Sequence, residues 1–166
     1  MFNLKGKVAV ITGGNGGIGL GIATGIASAG ASVVLAARNV EKMNDAVMGL
    51  QDQGFQASSE AVDVNDEDSI SNLIDGTVNR FGRLGILVNN AGEVLRTGPL
   101  DDWDQSLLNY ERLFGSNIRG AFLFGRAVAP IMAEQNYGEI VNVSTDHVKP
   151  APGSSRHHGH GNMDLY

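Results

Sequence analysis

Apolar positions along this chain fall into two patterns. Residues 8–11, 33–36, 86–88 and 140–143 are short apolar runs without strict alternation, the pattern of strands buried on both faces of a parallel sheet. Residues 56–64 alternate instead, with Ala57, Ser59, Ala61 and Asp63 on one side, which predicts an edge strand. Helical stretches separate the strands: an amphipathic one through Ile22, Ile26 and Ala29, then 40–53, 66–81 and a long region from about 101 to 135. Such alternation predicts an α/β fold, a doubly wound parallel sheet with right-handed crossovers.

The long helical region is apolar around most of its circumference, from Leu113 through Ile118, Phe122, Phe124, Val128 and Met132. It is expected to pack on the sheet with one side and on another helix or subunit with the other. Pro130 should bend it or mark its final turns.

Residues 7–19 bring in chemistry. An apolar strand ends in Thr12-Gly13-Gly14-Asn15-Gly16-Gly17-Ile18-Gly19 and runs into a helix. A helix start carries unpaired N–H groups and the positive end of its dipole, so it binds anions. Some glycines there must take positive φ, and others must leave room for a pyrophosphate against the backbone. A second strand at residues 32–37 completes a βαβ unit and strengthens the nucleotide reading.

Composition narrows the alternatives. With 166 residues, one domain is expected, burying roughly two-thirds of its unfolded surface. The net charge of −6 offers no basic stripe for nucleic acid. Residues 8–37 hold no charge, yet their glycines, threonines and Asn15 suit a buried strand-helix-strand better than a membrane span. No apolar signal core precedes the first strand, and the reading is a soluble protein. No cysteine is present, which rules out disulfides and thiolate metal sites within these residues and fits a reducing compartment. Beyond Thr145, residues 149–161 are rich in turn formers and have no periodicity. His157, His158 and His160 invite a metal reading, but no carboxylate or cysteine stands among them at ligand spacing; a metal-free loop is expected.

Together these residues resemble the short-chain dehydrogenase/reductase family over nearly the whole chain. Thr12-Gly13-(x)3-Gly17-Ile18-Gly19 is similar to its cofactor motif, and Asp63-Val64 to the pair that contacts adenine. Asn89-Asn90-Ala91-Gly92 resembles its most specific signature. Asn117 with Gly120 and Phe122 matches its long-helix pattern, and residues 138–145 the strand that ends in its catalytic serine. Gly13, Gly16 and Gly19 also fit longer epimerase-like relatives, but residues 89–92 favour the carbonyl/alcohol oxidoreductase branch. The resemblance implies a Rossmann-type sheet of order 3-2-1-4-5, a cytoplasmic enzyme, and a homo-oligomer acting on a small carbonyl or alcohol substrate.

It also implies roles. Gly13, Asn15, Gly17, Ile18, Gly19, Asn90, Ala91 and Gly92 would border the cofactor. Asp63 would touch adenine or else cap the next helix. Asn117 would distort its helix and hold a proton-relay water, or merely bond neighbouring backbone. Thr145, aided by Ser144, would hold the substrate oxygen where charge develops; both are otherwise turn hydroxyls. Ala37 stands where NAD-preferring members carry an acid, and Arg38 follows it. Arg38 would meet a 2′-phosphate, giving NADP over NAD, or pair with Glu41 on the surface. Gly16 occupies the place where some NADP-dependent members carry a basic residue.

The departure lies at the C-terminal end. The family places its tyrosine about thirteen residues past the serine position, where this chain has His158. An insertion of roughly eight residues makes Tyr166 the first residue of the Tyr-(x)3-Lys motif, with the lysine beyond it. A free phenol ionises near pH ~10, so a tyrosine base at neutrality needs nearby positive charge. Residues 1–166 therefore read as the N-terminal two-thirds of one Rossmann-type domain, a poor catalyst alone. A non-catalytic nucleotide-binding scaffold or an inactive fragment is the alternative.

Overall fold

Alternation along the first strand sorts the core into two layers. The computed structural model describes residues 3–98 (apart from the Arg96 side chain) and 100–144, together with the backbone of 163–165. In β1 (Val8–Thr12), Val8 and Val10 face one core while Ala9 and Ile11 face the other. β2 (Ser32–Ala37) is split the same way, Val34 and Ala36 against Val33 and Leu35. A strand apolar on both faces has to be covered on both, which is the doubly wound arrangement. Helices α1 (Gly17–Ser28) and α2 (Val40–Gln51) cover one face. Helix α3 (Glu67–Phe81) and, from further along the chain, α5 (Gly120–Glu134) cover the other.

The parallel sheet has the order β3-β2-β1-β4-β6, with β3 at Ala57–Ala61, β4 at Ile86–Asn89 and β6 at Glu139–Asn142. This is the expected 3-2-1-4-5, β6 being the fifth strand of the sheet. An unexpected short strand, β5 (Leu95–Thr97), precedes it and pairs antiparallel with β7 (Met163–Leu165) outside the main sheet. β3 is the predicted edge, although its burial does not alternate cleanly: Ala57 and Ser58 are both buried. Among the described strands β6 forms the other edge, and Ile140 and Val141 remain exposed.

Two expectations about the helices need correction. α1 is not fully buried: its sheet-facing stripe is Gly19, Ala23 and Ala27, with Ile22 and Ile26 only partly covered and Ile18 exposed. Small residues on that stripe let the helix approach the strands, so it needs no continuous apolar face. The long helical region is interrupted. α4 (Trp103–Leu113) passes through a π-helical turn (Phe114–Arg119) into α5, where Pro130 falls in the last turns. Phe124, Val128 and Met132 of α5 are buried, whereas Phe122 is 67% exposed.

Candidate active site

The C-terminal strand ends carry the candidate residues. β1 and β4 are neighbours while the chain leaves them for opposite faces, so a crevice opens at this switch point. Gly13 follows β1, Arg38 follows β2, Asp63 follows β3 and Asn90 follows β4. A cleft of about 360 Å³ is lined by Gly13, Asn15, Arg38, Asp63, Val64 and residues 90–93.

Its floor is the glycine loop, at Gly13 and Asn15, which runs into an uncapped helix start. Side chains cap α2 (Asn39), α3 (Asp66) and α4 (Asp102), but none caps α1, whose first turn holds no acidic residue. Unpaired N–H groups and the helix dipole at that end therefore face no competing anion from that turn. Gly13 at φ 64° and Gly17 at φ 51° supply the turn. Gly19 serves a different end. A Cβ there would strike the Gly13 carbonyl oxygen and come within 2.5 Å of Asn90 Nδ2, so Gly19 lets α1 seat against the loop. Gly17 and Gly19 line neither this cleft nor the neighbouring one, which Ile18 lines.

Thr12 locks this floor to the wall made by residues 90–93. Its hydroxyl, buried, donates to the Val88 carbonyl (3.3 Å) and accepts the N–H groups of Asn90 and Ala91, both at 2.9 Å. Asn90 Nδ2 donates back to the Thr12 carbonyl at 3.0 Å. The Asn90 side chain is thus a brace between β4 and the glycine loop. Asp63 does not cap α3, a task that falls to Asp66; its carboxylate accepts from the Asn65 N–H at 2.9 Å.

A second cleft, about 310 Å³, adjoins the first and shares residues 90–93 as its wall. Ile18, Asn117, Asn142 and Ser144 complete it. The π-helical turn places Asn117 here. Gly115 within that turn and Gly120 just after it allow it to press on Asn65 and Val64, where a Cβ would meet side-chain or backbone atoms at 2.7 and 3.1 Å. Asn117 Oδ1 accepts the Glu93 N–H at 2.8 Å, and Nδ2 donates to the Glu93 carbonyl at 2.9 Å. Ser116 Oγ stands 2.8 Å from the same Oδ1 and 3.0 Å from the Arg112 carbonyl, which share its single proton. One Nδ2 proton of Asn117 is left for the cleft. Ser144 is exposed at its rim, and Thr145 and Tyr166 lie outside the described residues, as do the three histidines. No group of three or more metal-ligating side chains occurs among the described residues.

Sequence reasoning missed two charged groups. Glu93 lines both clefts and pairs with Arg38 (3.3 Å) and Arg112 (2.8 Å); Arg38 has this partner rather than Glu41. Lys42 of α2 projects over the loop, its Nζ 2.9 Å from where a Cβ of Gly16 would stand. Spacing gives no signal for either, because Glu93 meets Arg38, and Lys42 meets Gly16, from a different strand-helix unit.

Fold and clefts together define a Rossmann-type α/β protein with its site at the switch point of the sheet. The chain belongs to the short-chain dehydrogenase family, whose profile matches residues 7–155. It is 36% identical over 143 residues to gluconate 5-dehydrogenase of Gluconobacter oxydans, covering 86% of this chain and 55% of that protein. Among solved structures it resembles a metagenomic short-chain oxidoreductase in complex with NADP (TM-score 0.80, 37% identity, 89% of this chain and 66% of that one). It also resembles a short-chain dehydrogenase/reductase from Burkholderia phymatum in complex with NAD (TM-score 0.82, 34% identity, 92% and 53%). The chain spans about half the length of the curated relatives it matches. No helix among the described residues is long and apolar enough to cross a membrane.

Proposed function

We propose that this chain carries the dinucleotide site and part of the proton-handling apparatus of an NADP-preferring oxidoreductase acting on a carbonyl or alcohol substrate. The observation that carries this reading is the pair of adjoining clefts with residues 90–93 as their common wall, one bordered by the glycine loop that leads into an uncapped helix start and the other by Asn117 and Ser144. A dinucleotide needs an anion slot at its middle and two different pockets at its ends, and the residues present fit that need. When bound, the nicotinamide supplies or takes the hydride.

The chain's own residues do the rest. The first-turn amides of α1 hold the pyrophosphate, and Asp63 and Val64 border the adenine. Arg38, with no acid at Ala37, meets the 2′-phosphate, and Lys42 brings a second cation to the loop position that Gly16 leaves bare. Ser144 and Thr145 stabilise charge on the substrate oxygen. Asn117 relays a proton through water to Tyr166, which gives it to or takes it from that oxygen. Phe122, exposed on α5, supports a homo-oligomer, and the cysteine-free sequence fits the cytoplasm.

Mixing the whole protein with NADPH and a panel of small ketones and aldehydes tests this reading. Oxidation of NADPH, slowed by at least about tenfold in Asn117→Ala, is expected. Tight cofactor binding without turnover on any carbonyl or alcohol would instead favour a nucleotide-binding scaffold.

A further inference from the structure

Arg38 and Glu93 come from strands that are not neighbours. Arg38 follows β2 and Glu93 follows β4, and β1 with its glycine loop lies between them in the sheet. Their side chains nonetheless meet, Arg38 Nη2 donating to Glu93 Oε1 at 3.3 Å, and both line the first cleft. The ion pair therefore joins two walls of the cleft. Glu93 is the fixed end: its backbone is held by Asn117 on both polar groups, its side chain is only 22% exposed, and Oε2 accepts from Arg112 at 2.8 Å. Arg38 is the loose end, with a side chain 70% exposed and the longer contact.

We propose that Glu93 competes with the cofactor's 2′-phosphate for Arg38, and so limits how strongly this protein prefers NADP to NAD. The inference rests on the assignment of Arg38 to the 2′-phosphate made above. A phosphate offers Arg38 more charge and more acceptor oxygens than a carboxylate does, so it takes the guanidinium over. Glu93 loses less in the exchange, because Arg112 keeps its other oxygen. One cost falls on NADP alone: breaking the Arg38 contact. An unphosphorylated ribose need not displace Arg38 at all.

Calorimetric affinities for NADP and NAD in the whole protein test this, for Glu93→Gln, Arg38→Gln and the double variant. Glu93→Gln should tighten NADP about two- to five-fold, the range of one exposed ion pair, and leave NAD nearly unchanged. In the Arg38→Gln background the same change should do nothing. Weaker NADP binding in Glu93→Gln, an equal shift for both cofactors, or a shift that persists without Arg38 would overturn the proposal. If Arg38→Gln leaves the ratio of affinities untouched, the 2′-phosphate assignment fails and this inference with it. If Arg38→Gln abolishes the preference while Glu93→Gln changes nothing, only the role of Glu93 fails. Should the neutral variant lose its fold by freeing Arg112, Glu93→Asp keeps an anion there and shortens the reach to Arg38; it should then tighten NADP in the same direction.

Discussion

Asn117 clamps Glu93 by both of its backbone polar groups, accepting its N–H at 2.8 Å and donating to its carbonyl at 2.9 Å. This one side chain ties the distorted helix to the segment after β4 and fixes the wall between the two clefts. Asn117→Ala should cost about 1–3 kcal/mol of stability, because both Glu93 groups lose their partner in a half-buried place. Asn117→Asp should cost a similar amount, since it sets a carboxylate against the Glu93 carbonyl. Denaturant unfolding of the whole protein measures both, and an unchanged midpoint in the two variants would mean that the clamp is idle.

Thr12→Val replaces the buried hydroxyl that receives the Asn90 and Ala91 N–H groups. Two buried donors lose their acceptor at once, and about 1–3 kcal/mol of stability should go with them. Dinucleotide affinity should fall as the wall loosens. Thr12→Ser, which keeps the acceptor, should restore most of both.

The glycines of α1 separate into two kinds. Gly19→Ala drives a methyl into the Gly13 carbonyl and Asn90, so it should cost about 1–3 kcal/mol and weaken cofactor binding. Gly21→Ala meets nothing within 4 Å and should stabilise the helix by about 0.5–1 kcal/mol with no effect on binding. Equal melting shifts in the two variants would contradict the close seating of α1 on the loop.

A polypeptide confined to residues 1–166 should associate or fold only marginally, and show no measurable turnover. Exposed Ile140 and Val141 on the edge strand β6, with Phe122 on the outer side of α5, are the physical cause. Sedimentation and a dehydrogenase assay check this; a monodisperse, active 166-residue chain would refute it.

Much of the fold was legible because its strands announce themselves twice. Residues 8–11 and 33–36 are apolar at every position, and only a sheet covered on both faces requires that; the order of the five main strands follows the family pattern. What could not be read came from contacts between distant segments. The distortion at Asn117 was expected from the resemblance, and the π-helical turn bears it out; the meeting of Gly115 and Gly120 with Asn65 and Val64 that allows it has no periodic trace. β5 follows the residue 89–92 motif directly and is only three residues long, too short to show alternation. Glycine placement was legible in the loop, but the part Gly19 plays in seating the helix needed the position of Asn90. Arg38 was identified as a cleft residue, yet its partner Glu93 lies 55 residues away in the chain.

We propose that the cleft lined by Gly13, Arg38 and Asp63 holds a nicotinamide dinucleotide whose 2′-phosphate is recognised through Arg38. The most direct measurement is the pair of dissociation constants for NADP and NAD, in the whole protein and in the double variant Ala37→Asp, Arg38→Leu. NADP should bind more tightly than NAD to the unmodified protein, and the order should reverse in the variant, where a carboxylate meets the ribose hydroxyls and repels the phosphate. The same order and ratio in both proteins would contradict it.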